Sequence, residues 1–108
     1  MTRIVIIGGG PAGYEAALVA SQYGASVSLI DSDGIGGACV LFDCVPSKTF
    51  IASTGVRTDM RRAGDLGIEL EGATVALPQV HSRVKSLARA QSSHQARGGR
   101  GEAVLRAR

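Results

Sequence analysis

Cys39 and Cys44, the two cysteines of the chain, stand with four residues between them in "GIGGACVLFDCVPSKTF" (residues 34–50), and Lys48 follows. A close thiol pair can cycle between dithiol and disulfide, help hold a metal, or sit inert in a core. On a regular helix the two Cα atoms would lie about 8.7 Å apart, beyond the ~7 Å limit for a disulfide. If the two bridge, the backbone between them must be a distorted turn leading into a helix at Pro46, which Gly36 and Gly37 permit. Ahead of that helix Cys44 meets the positive end of the dipole, which favours thiolate. Lys48 would add to this if it points back, while Asp43 opposes both. A lysine in a first helical turn is slightly unfavourable and hints at an anionic neighbour; a solvated surface lysine is the plainer alternative. Zinc normally needs four ligands, and His81 and His94 lack ligand spacing, so they read as surface residues and zinc is disfavoured.

A second constellation precedes the first. Gly8, Gly10 and Gly13 form G-x-G-x-x-G between a predicted strand and a predicted helix. Gly8 allows the tight turn, Gly10 lets backbone approach a pyrophosphate, and Gly13 lets helix and strand pack closely. The helix start offers free N–H groups to phosphates. Asp31 closes the next strand, where an acid can accept from both ribose hydroxyls of an adenosine and repel a 2′-phosphate. The pattern alone does not separate FAD from NAD.

The elements that must position these residues follow from the pattern. Arg3–Ile7 is a β-branched run and predicts a buried strand. "PAGYEAALVASQYG" has Pro11 where a helix starts and Gly24 where one stops. "ASVSLIDS" alternates and predicts a second strand ending near Asp31, completing a parallel βαβ unit. A helix is predicted from Pro46 to about Ala63, with Ile51, Ala52, Val56 and Met60 on one face and Gly64 and Gly67 ending it. "IELEGATVAL" suggests a small hairpin. Pro78 opens a third helix with Val80, Val84 and Leu87 on its face. Beyond Ala90 the pattern fails, so residues 1–90 form the folded part and 91–108 a disordered basic tail or an aberrant terminus.

Length and charge set the bounds. The 108 residues suffice for one small domain. Of 12 basic and 9 acidic side chains, eight of each lie in residues 1–90; the tail carries four Arg against Glu102. A charged tail is more often solvated than a nucleic-acid grip, and aromatic stacking residues are lacking there, so no nucleic-acid partner is expected. The first residues are too short in apolar content for a secretory leader, and no apolar run is long enough for a membrane span. A cytoplasmic location is therefore expected, where close cysteines favour metal or redox chemistry over stapling.

"IVIIGGGPAGYEAAL" and "LIDSDGIGGACVLFDCVPSKT" together resemble the start of the pyridine nucleotide disulfide oxidoreductases, most closely the dihydrolipoamide dehydrogenase branch, from about Thr2 to Gln91. The resemblance implies an α/β fold: a partial Rossmann-like FAD-binding fold of the three-layer ββα type, its parallel sheet incomplete in this chain. It implies FAD as cofactor, with NAD(P)H serving the full-length parent, and a redox-active disulfide in cell redox homeostasis. The implied cofactor contacts are Gly8, Gly10, Pro11, Ala12, Gly13, Asp31, Ser32, Gly37, Ala38, Cys39, Cys44 and Lys48. Cys39 would be the interchange thiol, Cys44 the flavin-side thiolate, and Lys48 a neighbour of the isoalloxazine. Small disulfides or dithiols would be the substrates, and the parent a homodimer.

Two departures qualify this. Val40, Leu41, Phe42 and Asp43 replace the usual Leu-Asn-Val-Gly, and Asp43 should raise the pKa of the adjacent sulfur. That favours an NAD(P)H:quinone reductase as the alternative, with a nonenzymatic dinucleotide-binding fragment third. The NAD-binding and interface domains are also missing, which suggests a truncated or frame-shifted reading, an N-terminal part inactive by itself. Alone it is expected to be marginally folded and to hold FAD weakly or not at all.

Overall fold

A computed structural model describes residues 1–98 and 106–107. Strand β1 (Arg3–Ile7) leads into helix α1 (Pro11–Gln22) and strand β2 (Ser26–Asp31). The two strands pair in parallel with Ile4 beside Val27 and Ile6 beside Leu29. This is the βαβ unit that the β-branched run, Pro11 and Gly24 announce. Gly24 has φ 80°, and paired N–H bonds from Gly24 to Ser21 O (3.0 Å) and Ala25 to Ala20 O (3.1 Å) close the helix.

One face of the pair is the core. Ala17, Val27, Leu29 and Ile35 are buried, with Ile4, Ile6, Tyr14, Ala20 and Ala25 packed against them. The other face is bare: Val5 is 64% exposed and Ile7 86%. The strand expected to be buried is thus only half-buried, at Ile4 and Ile6 on one side, because α1 can cover only one face of a sheet.

One short helix stands where sequence reading expects a turn, and the expected long helix follows it, starting two residues early. A short helix α2 (Gly37–Leu41) carries Cys39, and α3 (Cys44–Arg62) begins at Cys44 rather than Pro46. Pro46 is tolerated because N–H groups of a first turn have no helical acceptor. A 3₁₀ turn (Ala63–Leu66) and Gly67 at φ 75° end the helix. None of the α3 residues is buried, so the expected face of Ile51, Val56 and Met60 remains exposed.

Segment 68–76 forms no hairpin. Its backbone turns locally at Gly72 and Leu77, and Arg57 Nη1 donates to Ala73 O at 2.8 Å, tying the segment to α3. Helix α4 (Leu77–Gly98) then runs past the predicted end at Ala90. Its inward positions are Val80, Val84, Ala88, Ser92 and Gln95, a spacing that holds one helical face. The face continues after the apolar residues run out. Backbone of Arg106–Ala107 forms β3, parallel to β2, giving the order β1-β2-β3. Regular structure thus occupies 91–98 and 106–107 of the stretch expected to lack it; the remainder of that stretch, 99–105 and 108, lies outside the described residues.

Candidate functional site

The glycine turn joins β1 to α1, and its geometry explains each glycine. Gly8 has φ 105°, a left-handed conformation suited to glycine. A Cβ on Gly13 would overlap Gly8 O, so the close approach of helix and strand depends on its absence. Gly10 has open space where a Cβ would stand. It caps α1 without a side-chain bond and with no acid in the first turn. The N–H groups of Ala12 and Gly13 there have no helical acceptor, and Pro11 and Ala12 are exposed. An open, uncapped helix start beside a strand end fits the pyrophosphate of an adenine dinucleotide.

Asp31 stands at the end of β2 as expected, but it is already engaged. The Gly9 N–H donates to its Oδ2 at 2.6 Å; Asp33 and Gly34 N–H donate to Oδ1 at 2.8 Å and 3.1 Å. Burial pushes this carboxyl up, yet the hydrogen bonds from Asp33, Gly9 and Gly34 outweigh it and hold the pKa below its ordinary 3.8. Three of about four lone-pair positions are filled, which leaves room for one ribose hydroxyl. Ser32 beside it is exposed.

The cysteine segment packs on this turn. Gly36 N–H donates to Gly9 O at 2.7 Å, and a Cβ on Gly37 would lie 3.0 Å from Gly10 Cα. Gly36 (φ 102°) and Gly37 (φ 55°) are both left-handed. The break at Phe42 and Asp43, between α2 and α3, brings the Cys39 and Cys44 thiols side by side, both half-buried. Hydrogen bonding with Cys44 is the first of the influences that push the Cys39 thiol above its ordinary value. Burial and the charges of Cys44 and Asp43 add to it, and Lys48 works the other way. Ala38, Asp43 and Lys48 are exposed around the pair.

Sequence reasoning missed three contributors. Gly9 is buried, and a Cβ there would lie 3.0 Å from Asp31 Cβ; its place between Gly8 and Gly10 was the available signal. From α4, Ser92 and Gln95 lie against the loop: Cβ atoms on Gly34 and Gly36 would stand 3.3 Å from Ser92 Oγ and 2.7 Å from Gln95 Oε1. A groove beside α3 lined by Arg57, Met60, Arg61 and Leu70 includes neither the glycine turn nor the cysteines. Among the described residues no helix is long and apolar enough to cross a membrane.

Known proteins resemble this chain in sequence and fold. An NAD(P)H dehydrogenase (quinone) of Mycobacterium tuberculosis is 64% identical over 98 residues, 86% of this chain and 20% of that protein. A dihydrolipoyl dehydrogenase of Bacillus subtilis is 42% identical over 74 residues, 68% of this chain and 16% of its own length. The crystal structure of LpdA from Mycobacterium tuberculosis superposes with a TM-score of 0.89 at 57% identity, covering 99% of this chain and 23% of that one. RclA of Escherichia coli, a flavoprotein disulfide reductase, shares the fold at TM-score 0.70 and 19% identity, over 99% of this chain and 21% of its own. The chain thus spans about a fifth of the length of the relatives it matches. The family pattern of the pyridine nucleotide-disulphide oxidoreductases matches residues 2–103, and the chain belongs to that family.

Proposed function

We propose that this chain is the FAD-binding and dithiol-bearing part of a flavoprotein disulfide reductase of the dihydrolipoyl dehydrogenase kind. The observation that carries this reading is the nearness of two free thiols, Cys39 on α2 and Cys44 at the start of α3, on a segment whose Gly36 bonds to the glycine turn. FAD is the cofactor that goes with this family, and when bound it would pass two electrons from NAD(P)H to the sulfur pair. Gly10, Pro11, Ala12 and Gly13 would hold its pyrophosphate. Asp31, with Ser32 beside it, would meet the adenosine ribose, and Gly37, Ala38 and Lys48 would line the approach to the sulfurs.

The chain's own chemistry is thiol exchange. Two electrons and two protons convert the Cys39–Cys44 disulfide to two thiols. Cys39, as thiolate, attacks one sulfur of a small disulfide; its S–S bond breaks, the first thiol leaves, and a mixed disulfide remains on Cys39. Cys44 then attacks the Cys39 sulfur, the second thiol leaves, and the internal bond reforms. Such a pair must cycle, which suits the reducing cytoplasm. A homodimer is the assembly we expect of the full-length protein.

A second reading is favoured by the 64% identical relative named NAD(P)H dehydrogenase (quinone) and by the Cys39 thiol, raised first by hydrogen bonding with Cys44 and also by burial and the charges of Cys44 and Asp43: electrons would leave directly to a quinone. Cys39→Ser in a full-length protein carrying these residues separates the two. Lipoamide reduction should fall by at least about three orders of magnitude, since losing a nucleophile can cost up to about 10⁶ in kcat, with flavin retained. Undiminished lipoamide turnover would defeat the first reading, and quinone turnover that survives while lipoamide turnover was never present would establish the second. A protein that binds the dinucleotide but never forms the Cys39–Cys44 bond would be a binding module.

A further inference from the structure

The peptide of Gly9 is gripped from both ends. Its N–H donates to Asp31 Oδ2 at 2.6 Å, and its carbonyl accepts from the Gly36 N–H at 2.7 Å. The other oxygen of Asp31 holds the N–H groups of Asp33 and Gly34, the first residues of the segment that turns through Gly36 into α2 and Cys39. One carboxylate therefore bonds to two separate stretches of chain. One ends in the helix start suited to phosphates, and the other leads to the thiol pair. The closeness is built in: a Cβ on Gly9 would lie 3.0 Å from Asp31 Cβ and 3.1 Å from Ile35 Cδ1.

We propose that Asp31 is a positioning residue that fastens the glycine turn to the cysteine segment, so that whatever occupies the turn and the sulfur of Cys39 are held in fixed relation. This goes beyond the ribose contact of the proposed function and does not depend on it. A carboxylate suits the task because all of its lone pairs accept. An asparagine would turn an N–H₂ toward either the Gly9 donor or the pair at Asp33 and Gly34, and one connection would be lost.

The test uses the full chain without cofactor. Amide hydrogen exchange is measured residue by residue in the parent and in Asp31→Asn, together with alkylation of Cys39 by iodoacetamide. The expected result is exchange at least tenfold faster at Gly9, Gly34 and Gly36, unchanged exchange at Ile6 and Leu29, and Cys39 alkylation altered severalfold. Gly9→Ala, which keeps the carboxylate but crowds the same joint with a Cβ 3.2 Å from Asp31 Oδ2, should give the same pattern. Uniform acceleration through β1 and β2 would mean general loss of stability and overturn the proposal, as would unchanged exchange at Gly9 and Gly36 or an unaltered Cys39. Amides at Gly9 and Gly34 that exchange in the parent as fast as in an unstructured peptide would also overturn it. Failure here leaves the thiol-exchange reading standing, since that is decided by lipoamide turnover of Cys39→Ser.

Discussion

The β1–α1–β2 unit and the α3–α4 hairpin are held by different means. In the first, aliphatic side chains close a core around Val27 and Leu29, 2% and 1% exposed. In the second, α3 buries none of its residues, and Phe50, Ile51 and Val56 are 46%, 64% and 60% exposed. The inner face of α4 offers only the half-buried Val80 and Val84 and Ala88 at 3% exposure, with Arg83 Nη1 donating to Thr49 O and Ser53 Oγ, each at 3.4 Å. The thiols lie where the two regions meet. Precision at the glycine turn thus comes from a packed core, while α3, which carries Cys44, leans on contacts that water can replace.

The comparison can be broken at its strongest point first. Leu29→Ala should cost about 2–5 kcal/mol, enough to unfold a small domain, and urea unfolding followed by circular dichroism would show it. A loss under 1 kcal/mol would mean the unit is not the stable half. The glycines come next. Gly13→Ala should lower the melting temperature and abolish ADP binding together, because its methyl meets Gly8 O. Gly10→Ala should leave melting within about 0.5 kcal/mol, as for substitutions away from packing, and weaken ADP about tenfold or more by obstructing the phosphate approach.

Acid sharpens the contrast further. The folded Asp31 carboxyl titrates below its ordinary 3.8, so its contribution is fully present above that value and lost as pH falls through the folded value. Melting curves of the parent and Asp31→Asn should differ at pH 7 and draw together as the pH falls through the folded value; a gap that widens in acid would contradict this. The smallest effect belongs to the hairpin. Arg83→Ala should cost no more than about 1 kcal/mol, since its bonds are long and exposed.

Much of this was readable from the residues. β1 ends where the β-branched run ends, and Gly8, Gly13 and Gly24 have the geometry that their positions require. These features are legible because local backbone sterics dictate them. The cysteine segment was legible only as a constraint: a regular helix could not bring the thiols together, and the chain solves this with two helices broken at Phe42 and Asp43. The five residues of α2 are too few for periodicity to show. The length of α4 was hidden because Ala88, Ser92 and Gln95 continue its inner face without large aliphatic side chains. "IELEGATVAL" misled because its alternation serves no sheet; Arg57 captures its carbonyl instead. The second task of Asp31 was invisible, since nothing in spacing says that an acid will fold back onto Gly9.

The bare side of the paired strands has a practical consequence. Val5, Ile7 and Ile30 form an oily strip, with Ile30 at 43% exposure, and Ile7 and Ile30 lie side by side in register. Water wets such a strip poorly, and in concentrated solution like strips adhere to one another. Handled by itself, the polypeptide should stay dispersed at low concentration and cloud as it is concentrated, sooner in salts such as sulfate that strengthen apolar adhesion.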